Sequence, residues 1–173
     1  MAASPDPAAL GERHETVARE TAIYVRSLWK HYGAVQAVRG IDFEVREGEV
    51  FGLIGPDGAG KTSTFQILAG VMEATSGTGE VFGRPAREGR SQTGYLTQTF
   101  SLYPDLSVSE NIRYIGDLRR LPPAKIVRRG RRYLEMFNMD QFSDRLAGRL
   151  SGGMKQKLSL ACALVPQPRK YRL

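Results

Sequence analysis

Gly55, Gly58, Gly60, Lys61 and Thr62 fall within one short stretch, "GPDGAGKT", and residues of these types at this spacing are equipped to hold a polyphosphate. Glycines lack a Cβ, so their backbone amides can close on phosphate oxygens. Lys61 brings a compact positive charge to the β and γ phosphates, and a helix beginning there adds the favourable end of its dipole. Thr62 offers a hydroxyl to Mg²⁺. The stretch is a full match to G-x-x-x-x-G-K-[ST], the nucleotide-phosphate loop pattern. Asp57 fits less easily, because a carboxylate inside such a loop repels the ligand unless it points outward, where it can stabilise a turn.

Further stretches carry chemistry of their own. Tyr32, in "LWKHYGAVQAVRGIDFEV", lies before a hairpin-like region, where an aromatic ring can stack on a base or simply pack. Gln98 comes 37 residues after Lys61, just past a strand-like 94–96, and an amide at a strand end can reach a metal or a water. Ser151 precedes the glycine pair of "LSGGMKQKLSLACALV"; Ser is a good N-cap, and the helix N-terminus that it opens is a second place for an anion.

The elements that must position these residues are readable from pattern. The apolar run 50–54, behind a Glu-Gly turn and ahead of the glycines, suits a buried parallel strand. Phe65, Leu68 and Ala69 continue at helical spacing until Gly70 offers a C-cap. Ser107 with Glu110 spells a capping box ahead of "NIRYIGDL", and Pro122 with Pro123 punctuates before a basic helix. On that helix Lys125, Arg128, Arg129 and Arg132 fall on one stripe and Ile126, Tyr133, Leu134 and Phe137 on another, the pattern of an amphipathic surface helix.

Composition narrows the class. A chain of 173 residues suits one globular domain, and 41% hydrophobic with 25% charged residues is ordinary for a folded soluble protein. The longest apolar run, 160–165, is far too short to span a bilayer. The first residues, "MAASPDPAALGERHE", lack the basic and apolar regions of a signal peptide and read as a flexible polar extension over 1–20. Cys162 stands alone in an apolar helical pattern, so it reads as a buried small side chain in a protein of reducing surroundings. The net charge of +7 is essentially the cluster of Arg119, Arg120, Lys125, Arg128, Arg129, Arg131 and Arg132. It lacks the stacked aromatics of an RNA-binding surface, so nucleic acid is not expected as a partner. A solvated face or attraction to anionic headgroups or an acidic partner accounts for it instead.

Taken together, the sequence resembles the ATP-binding subunit of ABC transporters. "GPDGAGKT" resembles the Walker A loop, Tyr32 the aromatic that stacks on adenine, Gln98 the Q-loop glutamine and "LSGGMKQ" the family signature. The resemblance covers about 21–169, and "RLAGRLSGGMKQKLSLAC" looks most like subunits of ABC-2 type multidrug exporters. It implies an α/β fold: a P-loop NTPase core with an antiparallel β part, a helical subdomain over about 98–165, and a partial ATP-binding domain over 21–173. It implies ATP held by Tyr32, Gly55, Gly58, Gly60, Lys61, Thr62 and Ser63, with Ser151 and Gly153 facing the nucleotide of a second ATP-binding domain paired head to tail. Mg²⁺ would be met by Thr62 and Gln98. It also implies a transmembrane permease partner, received near "TFSLYPDLS" at 99–107, and a cytoplasmic place at the membrane face.

One departure stands out. Where the family continues through Gln167 and Arg169 into an apolar strand ending in Asp-Glu, this chain has "KYRL". The expectation is a domain shortened before Walker B, with its sheet incomplete at the C-terminus and without the switch histidine, so that residues 1–173 alone do not turn over ATP. Two functions stay open: an ATP-hydrolysing exporter subunit in the intact protein, or a nucleotide-binding or interaction module without turnover.

Overall fold

A computed structural model describes residues 20–97 and 101–167. The described residues open with two long strands, β1 (Thr21–Tyr32) and β2 (Val35–Arg46), joined by a tight turn in which Gly33 takes φ 57°. Next come helix α1 (Lys61–Leu68), strand β3 (Ser76–Val81) and the short β4 (Arg84–Pro85). Three helices follow: α2 (Val108–Leu118), α3 (Pro123–Met136) and α4 (Gly152–Leu164). The sheet order is β2-β1-β3-β4, and every pairing is antiparallel.

Strand β1 is central and carries a bulge. Ser27 sits at φ 46°, its amide donates to Asp42 Oδ1 at 2.9 Å, and the register slips between Val25 and Leu28. The extra residue brings Val25 and Leu28 to the same face despite their odd spacing. There they form a small core with Ile67 and Leu68 of α1. The helices build a separate and larger core from residues including Val108, Ile112, Ile126, Leu134, Leu158 and Cys162. Small residues allow the close approach of α2 and α3: a Cβ on Gly116 would fall 2.6 Å from Ile126, and one on Gly130 would fall 2.8 Å from Ile112.

The ends of the helices follow their sequence signals. The Ser107 hydroxyl accepts from the Glu110 amide while Glu110 reaches back to the Ser107 amide, so both halves of the capping box form. Pro123 opens α3. Gly70 follows the α1 C-cap at φ 69°, with Ala86 O only 2.7 Å from where a Cβ would be.

The run 50–54 is not a strand. Val50 is 90% and Ile54 is 95% exposed, while Phe51 and Leu53 are half-buried and Phe51 stacks on Phe43 at 5.0 Å. A buried parallel strand needs neighbours in the ladder, and the antiparallel sheet puts none beside this run among the described residues. The strand-like 94–96 is likewise irregular. The stripe on α3 also loses a member: Arg129 is half-buried and donates to Val165 O at 3.1 Å and Pro166 O at 3.2 Å, holding the carbonyl end of α4. The extension at 1–19, Gln98 and Arg169 lie outside the described residues.

Candidate functional site: the 55–63 loop and helix start

The loop leads straight into α1, and its shape rests on glycine at two points. Gly58 and Gly60 take φ 80° and 81°, in the left-handed region. At Gly60, the N-cap of α1, a Cβ would lie 2.1 Å from Ala37 O, so β2 presses directly on the end of the loop. At Gly58 a Cβ would meet nothing within 4 Å, which leaves that side of the loop open to a ligand. No side chain caps the first turn of α1, so its leading amides have no side-chain partner there.

Lys61 folds over the loop. Its ammonium donates to Gly55 O at 2.6 Å and Pro56 O at 2.7 Å. These carbonyls keep the charge above the glycines, where phosphate oxygens can replace them as partners. Thr62 is exposed, and Thr64, buried beneath it, donates to Gly60 O at 3.0 Å and seals the inner side of the first turn. Asp57 is exposed, as its place in the loop requires. The turn it sits in is closed by Ala59 N donating to Pro56 O at 3.2 Å, without a bond from the Asp57 carboxylate.

Tyr32 reaches this site from the end of β1. Its hydroxyl shares a hydrogen bond of 3.2 Å with Ser63 Oγ and also contacts Met72 Sδ. Lys30 Nζ lies 5.2 Å from the Tyr32 ring centroid and is held there by Glu73 O. The fold thus brings Tyr32, Gly55, Gly58, Gly60, Lys61, Thr62 and Ser63 to one place. Lys30 and Met72 join them without any motif to announce them.

Ser151 and Gly153 stand elsewhere, at the start of α4 in the helical part. Ser151 Oγ accepts from Met154 N at 3.3 Å. A Cβ at Gly152 or Gly153 would meet nothing within 4 Å, so this helix start is bare and open. Among the described residues no group of three or more His, Cys, Asp or Glu side chains gathers to hold a metal. The exposed Thr62 hydroxyl beside Lys61 suits Mg²⁺ carried in with phosphates, because that ion keeps waters and phosphate oxygens as most of its ligands.

Asn111 is a positioning residue with no motif of its own. Fully buried, it donates to Tyr103 O, Leu106 O and Ser107 O and accepts from Tyr103 N at 3.0 Å. It thereby folds 103–107 onto α2. Asn is disfavoured inside helices, and that is the signal by which it could have been found. In this segment Leu102 is half-buried against the helical core, whereas Tyr103 is exposed and meets Tyr114 edge-on, their hydroxyls 3.0 Å apart. That bond pushes the Tyr114 phenol above its ordinary pKa. A cavity of about 160 Å³ between 93–97 and helices α2 and α4 adjoins the segment. No described helix is long and apolar enough to cross a membrane.

Comparison with known proteins agrees with this geometry. The family profile described as ABC transporter matches residues 38–171. The chain is 44% identical over 137 residues to the probable multidrug ABC transporter ATP-binding protein YbhF of Escherichia coli, covering 77% of this chain and 24% of that protein. It is 39% identical over 148 residues to the Nod factor export ATP-binding protein I of Ralstonia nicotianae, covering 83% and 46%. It is 38% identical over 156 residues to the sulfate/thiosulfate import ATP-binding protein CysA of Methylococcus capsulatus, covering 85% and 44%. A solved ATP-binding subunit of an ABC transporter superposes with a TM-score of 0.75 at 31% identity, covering 86% of this chain and 63% of that one. The chain therefore spans from 24% to 46% of the length of these curated relatives. With the profile matching most of its length and the glycine loop formed at the start of α1, the chain belongs to the ABC transporter family.

Proposed function

We propose that this chain binds ATP and serves as the ATP-binding part of an ABC-type exporter. The observation that carries the reading is the loop itself: left-handed Gly58 and Gly60 lead into an uncapped helix start, over which the Lys61 ammonium is held by two carbonyls. The loop amides and Lys61 would take the β and γ phosphates. Tyr32, pinned by Ser63, would offer a ring face to adenine. Thr62, with Gln98, would meet Mg²⁺, which neutralises charge on the phosphates when bound.

The reading as an exporter draws on the relative named for Nod factor export, at 39% identity, together with the one named for a multidrug transporter, at 44%; the relative named for sulfate/thiosulfate import stands at 38%. In the intact protein ATP hydrolysis would drive transport through a permease at the cytoplasmic membrane face. Ser151 and Gly153 would meet the nucleotide of a second ATP-binding domain, which the bare start of α4 supports. For the permease, Tyr103 with Tyr114 makes a better contact than Leu102, because Leu102 is spent on the core. Residues 1–173 alone would bind nucleotide without turning it over, since their sequence has no apolar strand pattern ending in Asp-Glu to hold the metal and orient a water.

The test is equilibrium titration with a fluorescent ATP analogue and Mg²⁺. Lys61→Ala removes a charge-assisted contact and should weaken binding by at least about tenfold. Equal affinity in variant and parent overturns the assignment.

A further inference from the structure

We propose that the outer face of the α2–α3 hairpin is a docking surface for anionic phospholipid headgroups. The proposal rests on the reading above only in that it takes a membrane to be close by. Arg119, Arg120, Lys125, Arg128 and Arg132 are all exposed, and none makes an ion pair among the described residues. Their neighbours are accounted for: Arg129 is spent on the end of α4, Arg131 pairs with Glu135 at 2.7 Å, and Arg113 lies 3.8 Å from Asp117. What remains is a stripe of uncompensated cations, Lys125, Arg128 and Arg132, along α3, with Arg119 and Arg120 at the turn that leads into it, on a hairpin locked by the Gly116–Ile126 and Gly130–Ile112 contacts. A rigid platform presents its charges together without the ordering cost of a flexible tail.

The choice of partner follows from what accompanies the charge. Leu118 is 63% exposed and directly precedes Arg119 and Arg120, and Val127 is 71% exposed and directly precedes Arg128. Aliphatic side chains among cations suit the boundary between headgroups and acyl chains. Nucleic acid would call for exposed rings free to stack on bases, and the aromatics of this region are engaged: Tyr133 is buried, Phe137 is half-buried, and the exposed Tyr114 is met edge-on by Tyr103. An acidic protein would call for an anchoring aromatic or a pocket at the centre of the patch, and two isolated aliphatics supply neither.

The experiment is sedimentation of the full chain with vesicles of phosphatidylglycerol and phosphatidylcholine, against vesicles of phosphatidylcholine alone. The parent should partition onto the anionic vesicles, and more weakly as salt is raised. A cation close to such a surface contributes roughly a fivefold gain. Arg128→Gln with Arg132→Gln should therefore lose about 25-fold. An equal loss of charge on the sheet, Arg39→Gln with Arg84→Gln, should change binding by less than about twofold. Failure of the parent to prefer anionic vesicles, equal binding by the helix variant, or tighter binding to RNA or to polyglutamate than to the vesicles each overturns the proposal. ATP-analogue titration of the same preparations keeps the two readings apart: intact nucleotide binding without vesicle binding removes the docking surface alone.

Discussion

The phenolic oxygen of Tyr32 lies 3.2 Å from Oγ of Ser63, tying the last residue of β1 to the first turn of α1 next to Thr62. The ring proposed to meet the base and the helix proposed to meet the phosphates are therefore one mechanical unit. A base that stacks on Tyr32 would do so on a ring already held in place.

Removing that oxygen should be felt in both stability and binding. Tyr32→Phe leaves the buried Ser63 hydroxyl without this partner and should cost about 1 kcal/mol in denaturant unfolding. Stacking is retained, so its affinity for an ATP analogue should fall less than that of Tyr32→Ala. An unchanged unfolding midpoint in Tyr32→Phe would show that the bond contributes nothing.

Gly60 and Gly58 share a left-handed backbone but not a neighbourhood. Gly60→Ala would drive a Cβ to 2.1 Å from Ala37 O, so the loop must leave β2; the expected cost is more than about 2 kcal/mol, with nucleotide binding lost. Gly58→Ala meets open space and should incur only the backbone penalty, about 1–2 kcal/mol. Thermal unfolding of both variants, with equal shifts, would contradict the wedge at Gly60.

Glu110 supplies a pH signature. The Ser107 amide, and then its hydroxyl, hold the Glu110 carboxyl below its ordinary 4.5. A carboxylate whose pKa is lowered by folding stabilises the protein above its unfolded pKa, and the contribution is lost as pH falls through the folded value. The stability gap between the parent and Glu110→Gln should therefore be widest near neutrality and close on acidification. A gap that stays constant would show that the ionised carboxylate is not what closes the capping box.

Much of the site could be read from the sequence because its meaning is local. The glycine loop, the Ser107–Glu110 box, Pro123 at the start of α3 and Ser151 as an N-cap depend only on residues a few positions apart. What depends on partners could not be read this way. The run 50–54 has the apolar content of a buried strand, but a strand exists only with a ladder beside it. Arg129 looks like its stripe-mates until α4 brings two carbonyls within its reach. Lys30 is held over Tyr32 by Glu73 O, and Ala37 of β2 presses on Gly60 of the loop; both contacts join residues far apart in the chain and carry no short-range pattern.

The central claim is that phosphates bind at the start of α1, and amide NMR shifts of the isotopically labelled chain test it most directly. On addition of Mg-ATP, the amides of Gly58, Gly60, Lys61 and Thr62 should shift most. Inorganic triphosphate should move the same amides, adenosine should leave them in place, and Lys61→Ala should suppress the response. Shifts that centre on another surface, or that persist unchanged in Lys61→Ala, would contradict the account.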